Sequence, residues 1–155
     1  MESLKCSGRY ILISPSREEV QCGVKQGHGG NDKLIDFWRD LDTGPNPPME
    51  VCTIVENPKG TENKCEYDVD KKAIVLDRVL YSAMHYPGDY GFIPRTLDED
   101  GDPRDVLVLV THPTFPGCVH TVRPIGRLHM LDGDVSDDKI LAVPVNDIRF
   151  ARGRR

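Results

Sequence analysis

Five carboxylates crowd the stretch "DEDGDPRDVLVLV", at Asp98, Glu99, Asp100, Asp102 and Asp105, directly before the apolar run Val106 to Val110. Such a cluster is electrostatically unfavourable unless a cation sits among the carboxylates or water screens each of them. An EF-hand loop begun at Asp98 would need glycine where Pro103 stands and a bidentate glutamate where Leu109 stands, so that loop is excluded. What remains is D-x-D-x-x-D, from Asp100, Asp102 and Asp105, on a turn stiffened by Pro103 and anchored to a strand. Hard oxygen ligands of this kind suit Mg²⁺, which takes few carboxylates and keeps several waters. Taken alone, the run reads equally well as a solvated acidic turn.

A second acidic run, "LDGDVSDDK", carries Asp132, Asp134, Asp137 and Asp138 and ends at Lys139. Two acidic turns, each against a strand, make a shared multi-metal site more plausible than either does alone. The cations Lys64, Arg78 and Lys139 lie in or beside apolar runs, and Arg78 interrupts one. A guanidinium there either snorkels to the surface or forks onto an oxyanion. "YSAMHYPGDYGFIP" places Tyr86 and Tyr90 around a Pro-Gly turn, as half-buried packing residues or as donors to a phosphate oxygen. Carboxylates, cations and phenols on one curled sheet point to metal-assisted chemistry on a polyphosphate. Paired metals would neutralise substrate charge and acidify water. A carboxylate that is not a ligand would take the remaining proton.

The elements that must position these groups read mainly as strands. "MEVCTIVEN", "KCEYDVD", "AIVLDRVL", "VLVLV" and "KILAVPV" are short apolar or alternating runs between turn residues. "GCVHTVRPIGRLHML" reads as one long strand bent at Pro124 and Gly126. "VLVLV", apolar on both faces, fits a strand enclosed in a closed or covered sheet. "LIDFWRDL" fits a short helical turn before the proline-rich "DTGPNPP". Many short strands with few helical stretches indicate a small β-barrel or sandwich.

The chain has 155 residues, enough for one domain with its own core. A hydrophobic share of 38% and a charged share of 29% describe a globular chain, and a net charge of −5 argues against a general nucleic-acid binder. No run of 18 apolar residues occurs, so no membrane partner is expected. The five cysteines are scattered and form no C-x-x-C pair, which favours a reducing, cytoplasmic setting over a disulfide or zinc framework. Residues 1–35 are polar and aperiodic and are expected to form a flexible extension. The barrel domain is expected over 36–150, with 151–155 as a basic tail.

Beyond this reading, the stretches "KCEYDVDKKAIVLDR", "YSAMHYPGDYGFIPRTL", "DGDPRDVLVL" and "RPIGRLHMLDGDVSDDKILAVP" resemble the family I soluble inorganic pyrophosphatases of archaea and bacteria. The resemblance covers about residues 36–150. It implies hydrolysis of inorganic diphosphate to two phosphates with Mg²⁺, on an OB-like five-stranded closed β-barrel with short helical elements. Carried over by position, Asp100, Asp105 and Asp137 match ligands of the tight activating metals. Asp102 matches the carboxylate that orients and deprotonates the attacking water. Asp132 and Glu56 match residues that hold the metals arriving with substrate. Lys64, Arg78 and Lys139 match the phosphate-binding cations, Tyr90 matches a phosphate-side phenol, and Glu66 and Tyr86 match supporting positions. A homo-hexamer is implied as well.

Two departures accompany the resemblance, the first being that residues 1–35 have no family counterpart; the second is C-terminal. Family members continue through a helix with a Tyr-Lys pair that contacts phosphate and a C-terminal helix that covers the barrel, whereas neither Tyr nor Lys follows Lys139 here. The expectation is therefore a chain without that helix. Two other readings stand beside the diphosphatase: a truncated relative that binds metal and phosphate without turnover, and an OB-like binding module. Acidic rather than basic and aromatic lining argues against the module.

Overall fold

The computed structural model describes residues 3–6, 9–12, 34–98, 100–133 and 135–151. The chain divides into two units, Met1–Lys33 and Leu34–Arg155. In the first, β1 (Ser3–Cys6) and β2 (Arg9–Leu12) form an antiparallel hairpin, a pairing that the polar composition did not suggest. Of the flexible extension expected over 1–35, residues 1–2, 7–8 and 13–33 fall outside the described residues, as do 152–155 of the basic tail.

The second unit is built on β3 (Val51–Asn57), β6 (Asp89–Phe92), β7 (Asp105–Val108), β8 (Val119–Leu128) and β11 (Lys139–Pro144). They close into a five-stranded barrel in the order β11-β7-β6-β3-β8, so the expected barrel is the observed one. Only β7 and β11 run parallel; the other neighbours are antiparallel. Two smaller antiparallel pairs accompany the barrel, β4 (Asn63–Asp68) with β5 (Ala73–Val79), and β9 (Leu131–Asp132) with β10 (Val135–Ser136).

Alternation explains how one strand serves both core and site. Val106, Val108 and Val110 point into a core shared with Val51, Ile93, Val122 and Ala142. Each buried valine contributes roughly 1.5–3 kcal/mol of burial, and β-branched side chains fit the pleated wall. Asp105 and Leu107, one residue out of phase, face the opposite side and line a cavity there. The bend expected at Pro124 and Gly126 is a register shift opposite Leu141 and Ala142, where the two strands curl.

Three details refine the sequence expectation, and the first corrects it. β6 sits in a stretch read only as a Pro-Gly turn. Its pairing with β3 and β7 is close: a Cβ on Gly91 would lie 1.8 Å from the Ile54 carbonyl oxygen. "LIDFWRDL" makes a single helical turn, with the Asp40 N–H donating to the Asp36 carbonyl at 2.8 Å. A 3-10 helix, Ile148–Phe150, is capped by Asp147, whose carboxylate accepts from the Arg149 N–H. Among the described residues no helix is long and apolar enough to cross a membrane, and Cys52, Cys65 and Cys118 are free thiols.

Candidate active site

Backbone hydrogen bonds tie the described residues of the acidic turn together. The Asp98 N–H donates to the Asp102 carbonyl at 2.7 Å and the Gly101 N–H returns to the Asp98 carbonyl at 3.1 Å. Gly101 has a φ of 93°, which glycine adopts without strain. Arg104 pairs with Asp98 at 2.7 Å, so Asp98 is spent on the turn itself. Asp100, Asp102 and Asp105 are left facing a cavity of about 920 Å³.

Every predicted site residue but one lines that cavity: Glu56, Lys64, Glu66, Arg78, Tyr86, Tyr90, Asp100, Asp102, Asp105, Asp137 and Lys139. They arrive from five places: the end of β3, the β4–β5 arm, the 81–90 segment running into β6, the acidic turn into β7, and the entry to β11. Asp132 is the exception. Its backbone pairs with Val135 in the β9–β10 hairpin and its side chain lies outside the described residues, as does all of Asp134. Asp138, from the same acidic run, turns away from the cavity to bind His129 at 2.6 Å and Arg127 at 3.0 Å.

The electrostatics follow from burial and crowding. Lys139, 8% exposed, ties Asp105 to Asp137 with its ammonium. Burial works against that charge, but the two carboxylates outweigh it and hold the lysine above its ordinary pKa. The Tyr90 hydroxyl donates to Asp105 Oδ2 at 2.6 Å. Burial first, and the charge of Asp105 second, keep this phenol protonated far above its usual range. Tyr86 packs on Tyr90 with ring centroids 5.5 Å apart. Lys64 bonds Glu66 at 2.6 Å, which raises its pKa, and reaches Asp77 at 3.6 Å. Arg78 bonds Asp77 at 2.5 Å.

Two carboxyls are shifted upward. Glu56 is pushed up to about 8 by burial, with Asp105 and Glu66 adding repulsion, against a 2.7 Å hydrogen bond from the Tyr67 N–H. Asp102, at the exposed rim, is raised by partial desolvation and by the charges of Asp100, Asp105 and Glu66. A carboxylate raised in this way is a better proton acceptor than an ordinary aspartate.

Among the described residues no three Asp, Glu, His or Cys side chains converge as a ready-made metal ligand set. The chemistry of the donors nevertheless fits a hard divalent cation, since Asp105 and Asp137 already share the Lys139 cation and Asp100 and Asp102 line the same cavity. Sequence reading missed Asn57, 1% exposed, whose side-chain amide pairs twice with the Cys65 backbone, at 2.9 Å and 2.6 Å. An asparagine closing an apolar strand was its one visible trace.

Known proteins resemble this chain in sequence and in fold. The family model described as inorganic pyrophosphatase matches residues 53–154. The inorganic pyrophosphatase of Haloferax volcanii is 54% identical over 117 residues, covering 76% of this chain and 66% of that protein. That of Synechocystis sp. is 52% identical over 113 residues, covering 72% and 67%. The crystal structure of the inorganic pyrophosphatase from Thermus thermophilus superposes with a TM-score of 0.72 at 50% identity, covering 74% of this chain and 66% of that one. The chain thus spans about two thirds of the length of these relatives. With the barrel, the acidic turn and this match in agreement, the chain belongs to the inorganic pyrophosphatase family.

Proposed function

We propose that this chain hydrolyses inorganic diphosphate to two phosphates with Mg²⁺. The observation that carries the reading is the convergence of acidic, cationic and phenolic groups on one cavity beside the acidic turn. Asp100, Asp105 and Asp137 would hold the activating ions, and Asp132 and Glu56 those that enter with substrate. Bound Mg²⁺ neutralises phosphate charge and lowers the pKa of coordinated water. Asp102, at the rim with its raised pKa, takes the proton of the attacking water. Lys64, Arg78 and the Tyr90 phenol bind phosphate oxygens. Asp105 and Asp137, which share the Lys139 ammonium, would hold a divalent cation, and Lys139 would then neutralise charge on the departing phosphate. The P–O bond to the leaving phosphate breaks as the new P–O bond forms in line. Glu66 orients Lys64, and Tyr86 supports the Tyr90 ring.

Residues 36–150 form the catalytic unit in this reading. Family membership supports a cytoplasmic homo-hexamer, which native mass measurement checks. The deciding experiment is phosphate release from diphosphate against Mg²⁺ concentration, with Asp102→Asn as control. Mg²⁺-dependent release that falls about 100-fold or more in Asp102→Asn is expected. A folded protein that binds Mg²⁺ and releases no phosphate would refute the enzyme and favour a binding-only relative.

A further inference from the structure

Asn57 ends β3 and is 1% exposed. Its Nδ2 donates to the Cys65 carbonyl at 2.9 Å, and the Cys65 N–H donates back to its Oδ1 at 2.6 Å. This reciprocal pair reproduces one rung of an antiparallel ladder, with a side chain in place of a strand. The rung falls where regular pairing fails on both sides. The β3–β6 register shifts between Val55 and Asn57, and the β4–β5 register shifts between Lys64 and Cys65.

The next residue back, Glu56, accepts from the Tyr67 N–H at 2.7 Å, so two successive side chains of β3 grip alternate residues of β4. Cys65 lies between Lys64 and Glu66, which bond each other at 2.6 Å. At the β4–β5 irregularity, the unpaired Asp77 contacts both Lys64, at 3.6 Å, and Arg78, at 2.5 Å. The cations of the arm are thus one short linkage away from the Asn57 amide.

We infer that Asn57 is a positioning residue whose amide seats the β4–β5 arm, so that Lys64 and Arg78 face the carboxylates across the cavity. The kinetic side of this inference rests on the proposed diphosphatase reading; the structural side does not. Glu56 cannot hold the arm alone during turnover, because its carboxylate is wanted for a cation in that reading. Asn57 carries no charge, binds backbone only, and keeps its grip whatever the cavity contains. Leucine at 57 fills a similar volume and loses both bonds. Aspartate accepts from the Cys65 N–H but sets a carboxylate against the Cys65 carbonyl.

The test compares Asn57→Leu and Asn57→Asp with the unaltered chain in two ways: steady-state kinetics at saturating Mg²⁺, and amide hydrogen exchange of Cys65 against Leu109. The Leu109 N–H bonds the Ala142 carbonyl at 2.9 Å and reports the barrel. In Asn57→Leu, KM for diphosphate should rise at least tenfold while kcat falls less than threefold. Cys65 should exchange at least tenfold faster with Leu109 unchanged, and Asn57→Asp should lie between. If Asn57→Leu does not fold, Asn57→Asp carries the same comparison. Equal acceleration at Cys65 and Leu109 with KM unchanged would reduce Asn57 to general stability and overturn the inference. An unaltered chain silent toward diphosphate defeats the proposed function alone. Selective release of Cys65 then still supports the positioning role, and unchanged exchange overturns it.

Discussion

Glu56→Gln offers a quantitative test of the site's electrostatics without any substrate. In the metal-free protein the Glu56 carboxyl is pushed from 4.5 to about 8, chiefly by burial. A carboxyl whose folded pKa is raised binds its proton more tightly in the folded than in the unfolded chain. Its contribution to stability is therefore complete below pH 4.5 and lost as pH rises through about 8. At about 1.4 kcal/mol per pH unit, that interval amounts to about 5 kcal/mol as an upper limit. Water entry around an ionised Glu56 reduces this, and about 2–4 kcal/mol is the expected observable difference. Glutamine has the same shape, stays neutral and can keep accepting from the Tyr67 N–H. Urea unfolding in EDTA between pH 5 and 9, followed by the fluorescence of the single tryptophan Trp38, measures both proteins. Near pH 5 the two should have similar stability. By pH 9 the glutamine variant should be the more stable by about 2–4 kcal/mol. Parallel pH profiles, differing by less than about 0.5 kcal/mol throughout, would show that Glu56 is not ionised at a cost and refute the reasoning.

Further outcomes follow from the same geometry. Mg²⁺ binding at pH 7 should expel close to one proton per chain, read by calorimetry in buffers of different ionisation enthalpy, and Glu56→Gln should abolish it. Lys139→Met leaves Asp105 and Asp137 facing each other and should destabilise the metal-free protein by about 1–3 kcal/mol; Mg²⁺ should raise Tm more in the variant than in the unaltered chain. Gly91→Ala drives a methyl group into the Ile54 carbonyl and should cost at least about 3 kcal/mol, seen in denaturant unfolding.

Local patterns determined much of this protein. The acidic turn was legible because glycine and proline punctuate it, and because a turn's conformation depends on its own few residues. β7 was legible as an enclosed strand because valines at 106, 108 and 110 alternate with leucines, and period two survives in any sheet. The bend of β8 was visible at Pro124 and Gly126 for the same local reason. β6 was not. Four residues containing a glycine have no periodicity of their own, and they become a strand only when β3 and β7 supply partners on both sides.

The site divides along the same line. Residue types and spacing nominated the carboxylates and cations, because ligand chemistry belongs to the side chain itself. Which carboxylate pairs with which cation was decided only by the tertiary fold. Asp98 is taken by Arg104 and Asp138 by His129 and Arg127, while Asp105 and Asp137 share Lys139 across the join of β7 and β11. The upward shift of Glu56 is likewise invisible in sequence, because desolvation depends on what the folded chain stacks around the group. Asn57 is the extreme case: an amide with no chemistry of its own gains its role only where two interrupted ladders meet.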